Sequence, residues 1–222
     1  RAKMITESMA EYASLKVLEH EYGETKLRKF LQKARDIYFT GRANDAGAEK
    51  PLMYNSGLRQ SHIPYQKGAL VFYALSDFIG EENLNRALKA YVEKVRWQEP
   101  PYTTSLEMVD YLRAATPDSL QYLITDLFEE VTFYDNKMIA AQSKLLENGK
   151  YQVEIEFAVS KYRVSEKGEK IYTDELGNSL AAISNGANAP LRSLPLADYV
   201  ELGIFGEDTA RGREKEFDSS RR

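Results

Sequence analysis

The sequence Ile5-Thr-Glu-Ser-Met-Ala-Glu-Tyr-Ala-Ser-Leu15 predicts the helix around which the rest of the chain is arranged. Ile5, Met9, Tyr12 and Leu15 recur at helical spacing and form one apolar strip. The flank of the strip is also apolar, with Ala10, Ala13 and Val17. The pattern therefore predicts a buried helix.

Two acidic residues, Glu7 and Glu11, lie one turn apart on the same face of this helix. A carboxylate in apolar surroundings needs an explanation, because burying it without a partner is unfavourable. In one interpretation, Glu7, Glu11 and Ser14 form a solvated stripe, as charged side chains usually do. In the other, Glu7 is a metal ligand whose partners lie elsewhere. Helical spacing alone leaves both interpretations open.

The composition excludes several classes of function. The 222 residues include 30 basic and 34 acidic side chains, a net charge of -4, so the chain lacks the basic field with which proteins bind nucleic acid. The absence of cysteine excludes disulfides, thiolate metal sites and cysteine nucleophiles. No apolar run approaches the roughly 18 residues that a membrane-spanning helix needs. The length suits one large domain or two small ones.

Apolar residues keep the helical period as far as Val131. A second helix is predicted from Leu27 to Tyr38, before a polar loop over residues 41–51. A nearly all-apolar helix follows from Pro64 to Ile79. Its Gly68 costs about 1 kcal/mol of helix stability relative to alanine, which indicates that another backbone or a ligand comes close there.

The period changes to that of strands at Thr132. Residues 136–146 and 150–164 alternate, and Asn148-Gly149 between them predicts a hairpin with a type I′ turn. Residues 174–195 are interpreted as an irregular insertion, and residues 199–205 as a last strand. We therefore predict an α+β fold, with a helical region over 1–131, a small antiparallel β domain over 132–206 and a charged tail over 207–222. With about four strands, the sheet leaves an exposed edge, through which we expect a homodimer.

Three side chains are candidates for chemistry on their own. His20, between two glutamates, is expected at the surface, while His62 precedes a helix start and could face a pocket; neither belongs to an HExxH motif. Tyr65 stands at the N-terminal end of a buried helix, where the helix dipole and neighbouring amides favour a developing oxyanion. Alternatively, Tyr65 is one of 15 tyrosines and packs in the core.

Taken together, the segments Thr6-Glu-Ser-Met-Ala-Glu-Tyr12 and Pro64-Tyr-Gln-Lys-Gly-Ala69 resemble two signatures of the M1 family of zinc aminopeptidases. That family carries HExxH, a zinc-ligating glutamate about 18 residues later, and a Tyr-Glu-Lys-Gly segment about 60 residues further on. Here Glu7 and Tyr65 are 58 positions apart. The resemblance is greatest to bacterial M1-like domains associated with ABC-2 type transporter permeases, which share Thr-Glu-Ser and segments like Ile124–Glu129 and Tyr134–Asn136. It covers roughly residues 4–206.

The resemblance implies that the helical region is the C-terminal half of a thermolysin-like catalytic domain. Glu7 would be the third zinc ligand, and Tyr65 the catalytic donor of a hydrogen bond to the oxyanion. It assigns no role to Glu11. The substrate would be a peptide, cleaved at its N-terminal bond, and the intact bacterial protein would be a membrane-associated, extracytoplasmic partner of a transporter permease.

The same resemblance implies that the two histidine ligands and the catalytic glutamate precede Arg1. We therefore expect this chain, a soluble piece of that protein, to bind no zinc and to have no peptidase activity by itself. Two alternatives remain open at this point. One is a degenerate, non-catalytic peptidase-like module that serves a transporter as an interaction domain. The other is an unrelated helical domain with a β appendage, in which Glu7 and Tyr65 would lie far apart.

Overall fold

The structure, a computed structural model, describes residues 3–45, 47–56, 58–164, 170–173, 179–180, 194, 196, 198–200 and 202–204. In these residues a helical layer is followed by an antiparallel sheet, which confirms the predicted α+β class. Helix gives way to strand between Glu129 and Thr132, where the sequence period changes. The division into two domains and the origin of the helical region stay predictions. The predicted tail lies outside the described residues.

The helical layer contains α-helices, π-helical turns and 3₁₀ turns. The α-helices are α1 (Met9–Tyr22), α2 (Glu24–Asn44), α3 (Gly68–Ile79), α4 (Glu81–Val95), α5 (Ser105–Ala115) and the short α6 (Tyr122–Ile124). The first π turn (Met4–Ser8) leads into α1, the second π turn (Ile63–Lys67) leads into α3, and the third π turn (Thr125–Glu129) follows α6. Leu52–Tyr54 and Asp118–Leu120 are 3₁₀ turns. In the part of the chain that is described, no helix combines the length and apolarity needed to cross a bilayer.

Helix α3 is the centre of the core, as its apolar sequence predicts. Phe72 is fully buried, and its ring lies 6.0 Å from that of Tyr12 and 5.4 Å, edge-on, from that of Phe128 (centroid distances). These three rings join α3 to α1 and to the third π turn, and aromatic pairs of this kind stabilise beyond the area they bury. The Tyr12 hydroxyl also donates to Ser76 Oγ at 3.1 Å.

The first helix is buried on one face only. Tyr12 and Leu15 are buried, as predicted, but the flank formed by Ala10, Ala13 and Val17 is exposed, Val17 by 61%. The prediction of a buried helix was therefore wrong for this flank. The described chain packs α2 and α3 against one side of α1, and the apolar flank lies outside that contact.

Helix α2 ends at Asn44, beyond the predicted start of a polar loop at Gly41. Gly41 is a turn former in isolation, but here it lies inside the helix because the ring of His62 packs on it. A Cβ at this position would come within 2.5 Å of that ring. Arg42, one residue later, forms an ion pair with the buried Glu49. Tertiary contacts thus extend the helix through a weak sequence.

The sheet has the order β1 (Thr132–Leu145), β2 (Tyr151–Val164), β3 (Lys170–Thr173) and β4 (Ser179–Leu180), each antiparallel to the next. The long β1–β2 ribbon dominates it. Among the described residues β1 pairs only with β2. Its outer edge carries the Lys137–Asp135 ion pair and an unpaired Ile139 at a register shift. Charges and bulges of this kind oppose edge-to-edge pairing, so the homodimer stays a prediction.

Two details of the β region differ from expectation. In the β1–β2 turn only Gly149 has a positive φ, of 74°, whereas a type I′ turn needs Asn148 there too. The loop is instead a three-residue turn, with the Gly149 N–H bound to the Leu146 carbonyl at 3.0 Å. The predicted strand over 199–205 was also wrong for its described residues: they pair with no strand, and Tyr199 and Ile204 are 68% and 55% exposed.

A buried ion-pair cluster fastens β2 to the helical layer. Lys161 Nζ lies 2.8 Å from Asp126 Oδ2, in the third π turn, and 3.0 Å from Asp198 Oδ1. All three side chains are less than 10% exposed. Burial lowers the pKa of Lys161, but hydrogen bonds to both aspartates outweigh it and raise the pKa overall. Lys161 therefore stays charged and holds two acidic segments together.

Replacing Lys161 by methionine should lower the free energy of unfolding by about 3 kcal/mol, because Asp126 and Asp198 both lose a buried ammonium and Asp126 keeps the more distant Arg163, at 3.8 Å. Urea unfolding followed by circular dichroism measures the change. The control Lys144→Met, at an exposed position of β1, should stay within about 0.5 kcal/mol of wild type. Equal effects of the two variants would contradict the role given to Lys161.

Gly68 marks a close approach of another segment, as the sequence predicts. A Cβ at this position would lie 2.1 Å from Ser8 Oγ and 2.6 Å from Ser8 Cβ. Gly68→Ala should therefore destabilise the protein by about 1 to 3 kcal/mol through overpacking, despite the helix propensity of alanine. Thermal and urea unfolding measure the change.

The control is Gly47→Ala, since a Cβ at Gly47 meets no atom within 4 Å. It should leave stability within about 0.5 kcal/mol of wild type. A Gly68→Ala protein as stable as this control would show that α3 and the first π turn do not approach as described.

Candidate functional site

The two residues singled out by the sequence lie on two π turns that pack against each other. Glu7 is in the first π turn and Tyr65 is in the second. A π turn widens the helix and is frequent at functional sites, because it redirects a side chain that a regular helix would point elsewhere. The side chains of Glu7 and Tyr65 lie close to each other, since each is the first cause of the shift in the other's pKa.

The Tyr65 hydroxyl is placed to donate a hydrogen bond to the Glu7 carboxylate. This bond is the largest influence on the pKa of Glu7, which it lowers, and the Lys3 ammonium, 3.2 Å from Glu7 Oε1, lowers it further. The same bond raises the pKa of Tyr65, because the neighbouring negative charge disfavours a phenolate. At neutral pH Glu7 is therefore ionised and Tyr65 is a neutral donor.

Both side chains are half-buried, so solvent reaches the pair. Glu11, one turn after Glu7, is also half-buried, and its charge contributes to the raised pKa of Tyr65. The site thus presents an anionic oxygen ligand beside a protonated phenol at an accessible surface. Metal-assisted hydrolysis uses side chains of both kinds near the reacting carbonyl. A carboxylate binds the metal ion, and a protonated group donates a hydrogen bond to the oxyanion.

The described residues contain no group of three or more histidine, cysteine, aspartate and glutamate side chains that could hold a metal ion. Glu7 has the chemistry of a zinc ligand, but a zinc site takes three or four protein ligands. Within the described chain its partners are instead Lys3 and Tyr65. The described residues around Glu7 thus offer at most one ligand to a zinc ion and do not form a zinc site by themselves.

The two histidines occupy different environments. His20 is exposed at the end of α1, as predicted. His62 is buried, with its ring on Gly41 and 6.1 Å from that of Tyr38, and its Nε2 lies 3.3 Å from Asp45 Oδ2. It is one of the residues that line a groove of about 680 Å³ along α2, a possibility that the sequence left open.

Lys67, two residues after Tyr65, takes part in a separate buried cluster. Its ammonium contacts the carboxylate of Glu49, which also accepts a hydrogen bond of 2.8 Å from the Tyr38 hydroxyl and pairs with Arg42. Burial lowers the pKa of Lys67, although Glu49 opposes this effect. Lys67 therefore fixes residue 49 and its neighbours to the helical layer.

Sequence reasoning missed two residues of the site. Lys3 precedes Glu7 by four positions, the spacing at which opposite charges meet on a helix, so this pair was visible in the sequence. Ser8 is fully buried and donates to the Pro64 carbonyl at 2.6 Å. Its partner is 56 positions away, and only the requirement for glycine at position 68 pointed to a close neighbour.

Comparisons with models of known families, with curated proteins and with solved structures found no match to this chain.

The Glu7–Tyr65 hydrogen bond can be tested by titration. Tyr65→Phe should raise the pKa of the Glu7 carboxyl, because it removes the largest of the influences that stabilise the ionised form. The measurement is a pH titration of the Glu7 side-chain carbon by NMR on isotopically labelled protein. Tyr54→Phe, at a tyrosine that is 58% exposed, is the control and should leave the Glu7 pKa unchanged. An unchanged value in Tyr65→Phe would contradict the contact.

Proposed function

We propose that this chain is the C-terminal part of a zinc metallopeptidase similar to M1 aminopeptidases, which hydrolyse the N-terminal bond of a peptide. The observation that carries the proposal is that Glu7 and Tyr65 lie close together, on two π turns that pack against each other. The two residues are far apart in sequence, and the resemblance assigns them adjacent roles around one reacting carbonyl. Their contact supports that assignment and disfavours an unrelated helical domain with the two residues far apart.

In this proposal each residue has one task. Glu7 offers a carboxylate that its low pKa keeps ionised and ready to bind a cation. Tyr65 keeps its proton, because the pKa of its hydroxyl is raised, and can donate a hydrogen bond to an oxygen that becomes negative. A zinc ion bound beside them would supply activation of water and polarisation of the peptide carbonyl. The remaining ligands would come from an HExxH segment that precedes this chain.

The alternative proposal is a degenerate peptidase-like module that serves a membrane transporter as an interaction domain. It is favoured by the ion pair of Lys3 with Glu7, which satisfies the carboxylate without a metal. Both proposals keep the bacterial, membrane-associated and extracytoplasmic location, and both keep a transporter permease as partner. They differ in whether the longer protein holds zinc and cleaves peptides.

The deciding experiment uses the longer protein that the resemblance implies, purified and loaded with zinc. Wild type should hold one zinc ion per chain by plasma mass spectrometry and cleave aminopeptidase substrates. Glu7→Gln should lose zinc and activity together. Tyr65→Phe should keep its zinc but lose kcat by about 10²- to 10³-fold, the effect of removing one oxyanion donor.

Glu11→Gln is the matched control, since it removes a carboxylate one turn from Glu7 on the same helix. It should retain zinc and most of the activity. A wild-type protein without zinc and without peptidase activity would contradict the enzyme and favour the interaction module. Loss of zinc in Glu11→Gln but not in Glu7→Gln would contradict the ligand assignment.

A further inference from the structure

The outer part of the β1–β2 ribbon has one apolar and one polar face. Residues directly opposite each other in an antiparallel ladder point to the same side of the sheet. One side, the apolar face, is formed by the pairs Leu145–Tyr151, Ser143–Val153, Ala141–Ile155 and Met138–Phe157. The other, the polar face, is formed by Lys144–Gln152, Gln142–Glu154 and Ala140–Glu156. This alternation is typical of a sheet that packs one side on a core and leaves the other in water.

The described part of the chain leaves the apolar face uncovered at its outer end. Tyr151 and Leu145 are 67% and 58% exposed, and Met138 and Val153 are exposed as well. A ribbon of two strands is only marginally stable in water unless its apolar side packs on something. An apolar patch that polar residues surround is also typical of an interaction site. The apolar face therefore calls for a partner surface.

The longest segments outside the described residues have little to cover this face with. Residues 181–193 contain two large apolar side chains, Ile183 and Leu191, and residues 206–222 contain one, Phe217. The second segment is also mostly charged. A second copy of the chain, in contrast, brings an identical apolar face. In a twofold-symmetric dimer the same patch serves on both sides, so such a strip is complementary to itself.

The size of the apolar face suits a dimer. From the exposed fractions, its side chains offer about 500 Å² per copy, so two copies would bury about 1,000 Å² in total, the size at which specific interfaces begin. The two ribbons would pack face to face about 10 Å apart, as the sheets of a β-sandwich do. The outer edge of β1 is a poorer surface, because the Lys137–Asp135 ion pair and the unpaired Ile139 oppose a continuous ladder.

We propose that this chain forms a twofold-symmetric dimer through the apolar face of the β1–β2 ribbon, and not through the edge of β1. The proposal does not depend on the proposed function, because Glu7 and Tyr65 lie in the helical layer and take no part in the contact. It commits to a second copy of the chain as the occupant of the apolar face.

Sedimentation velocity of the 222-residue chain tests the dimer. Wild type should change from monomer to dimer between about 1 and 100 μM, because interfaces at the small end of the size range give weak complexes. Tyr151→Glu should raise the dissociation constant of the dimer by about tenfold or more, since it places a charge inside an apolar interface. Gln152→Glu is the matched control. It adds the same charge at the next residue of β2, on the polar face, and should leave the dissociation constant within about twofold of wild type.

A second pair of variants distinguishes the face from the edge. Leu145 and Lys144 are neighbours on β1, equally close to its outer edge but on opposite faces. Packing through the apolar face predicts that Leu145→Gln weakens the dimer and that Lys144→Gln does not, whereas pairing through the edge predicts equal effects. All four substituted side chains are exposed in the monomer, so circular dichroism and the urea midpoint of dilute protein should stay as in wild type.

The proposal is supported by a wild-type dimer that only Tyr151→Glu and Leu145→Gln dissociate. A wild-type chain that stays monomeric at about 100 μM would overturn it. If that monomer binds anionic lipid vesicles and Tyr151→Glu abolishes the binding, the apolar face meets a bilayer and not a second copy. Equal weakening of the dimer by the two members of either pair would also overturn the proposal.

Discussion

The described structure depends on the close contact between the first π turn and the start of α3. Ser8 enters the space that Gly68 leaves open and binds the Pro64 carbonyl. This contact sets how α1 lies against α3. It therefore also places the Tyr12 ring against Phe72 and its hydroxyl within hydrogen-bond distance of Ser76 in the core. A single methyl group at position 68 would disturb the packing of the core and the geometry of the site at once.

Three of the interacting pairs described above differ in how far solvent reaches them. Lys67 with Glu49, and Lys161 with Asp126, are buried pairs that fasten outer segments to the helical layer. The Glu7–Tyr65 pair is half-buried, lies on π turns and has shifted pKa values in both partners. A shifted pKa in a side chain that solvent reaches is typical of functional sites. The two buried pairs are instead explained by their role in holding segments of the protein together.

Local patterns in the sequence were sufficient for the helices, the long β hairpin and the α+β class. Apolar residues at helical spacing mark α3 and α4, and the change of period at Thr132 marks the sheet. The errors arise where tertiary contacts override local preference. Helix α2 continues through Gly41 because His62 packs on it. Residues 199, 200 and 202–204 form no strand, because alternation is insufficient without a paired neighbour, and the described residues supply none.

The candidate site was also predictable only in part, because contacts between distant segments leave no local pattern in the sequence. The resemblance to M1 aminopeptidases paired Glu7 with Tyr65, and helix periodicity placed each near the start of a helix. The π turns were not predictable, because an extra residue in one turn leaves no clear mark in an apolar pattern. Ser8 was missed because its hydroxyl bonds to a carbonyl 56 residues away, and such a contact has no local signature.

The central claim is that Glu7 and Tyr65 belong to one zinc site completed by residues that precede this chain. X-ray diffraction at the zinc absorption edge, on crystals of the longer protein, tests it most directly. The account predicts one anomalous peak at a coordination distance of about 2.0 to 2.2 Å from a Glu7 carboxylate oxygen, on the side that faces the Tyr65 hydroxyl. A zinc peak bound by other residues, or a zinc-soaked crystal with no peak beside Glu7, would contradict it.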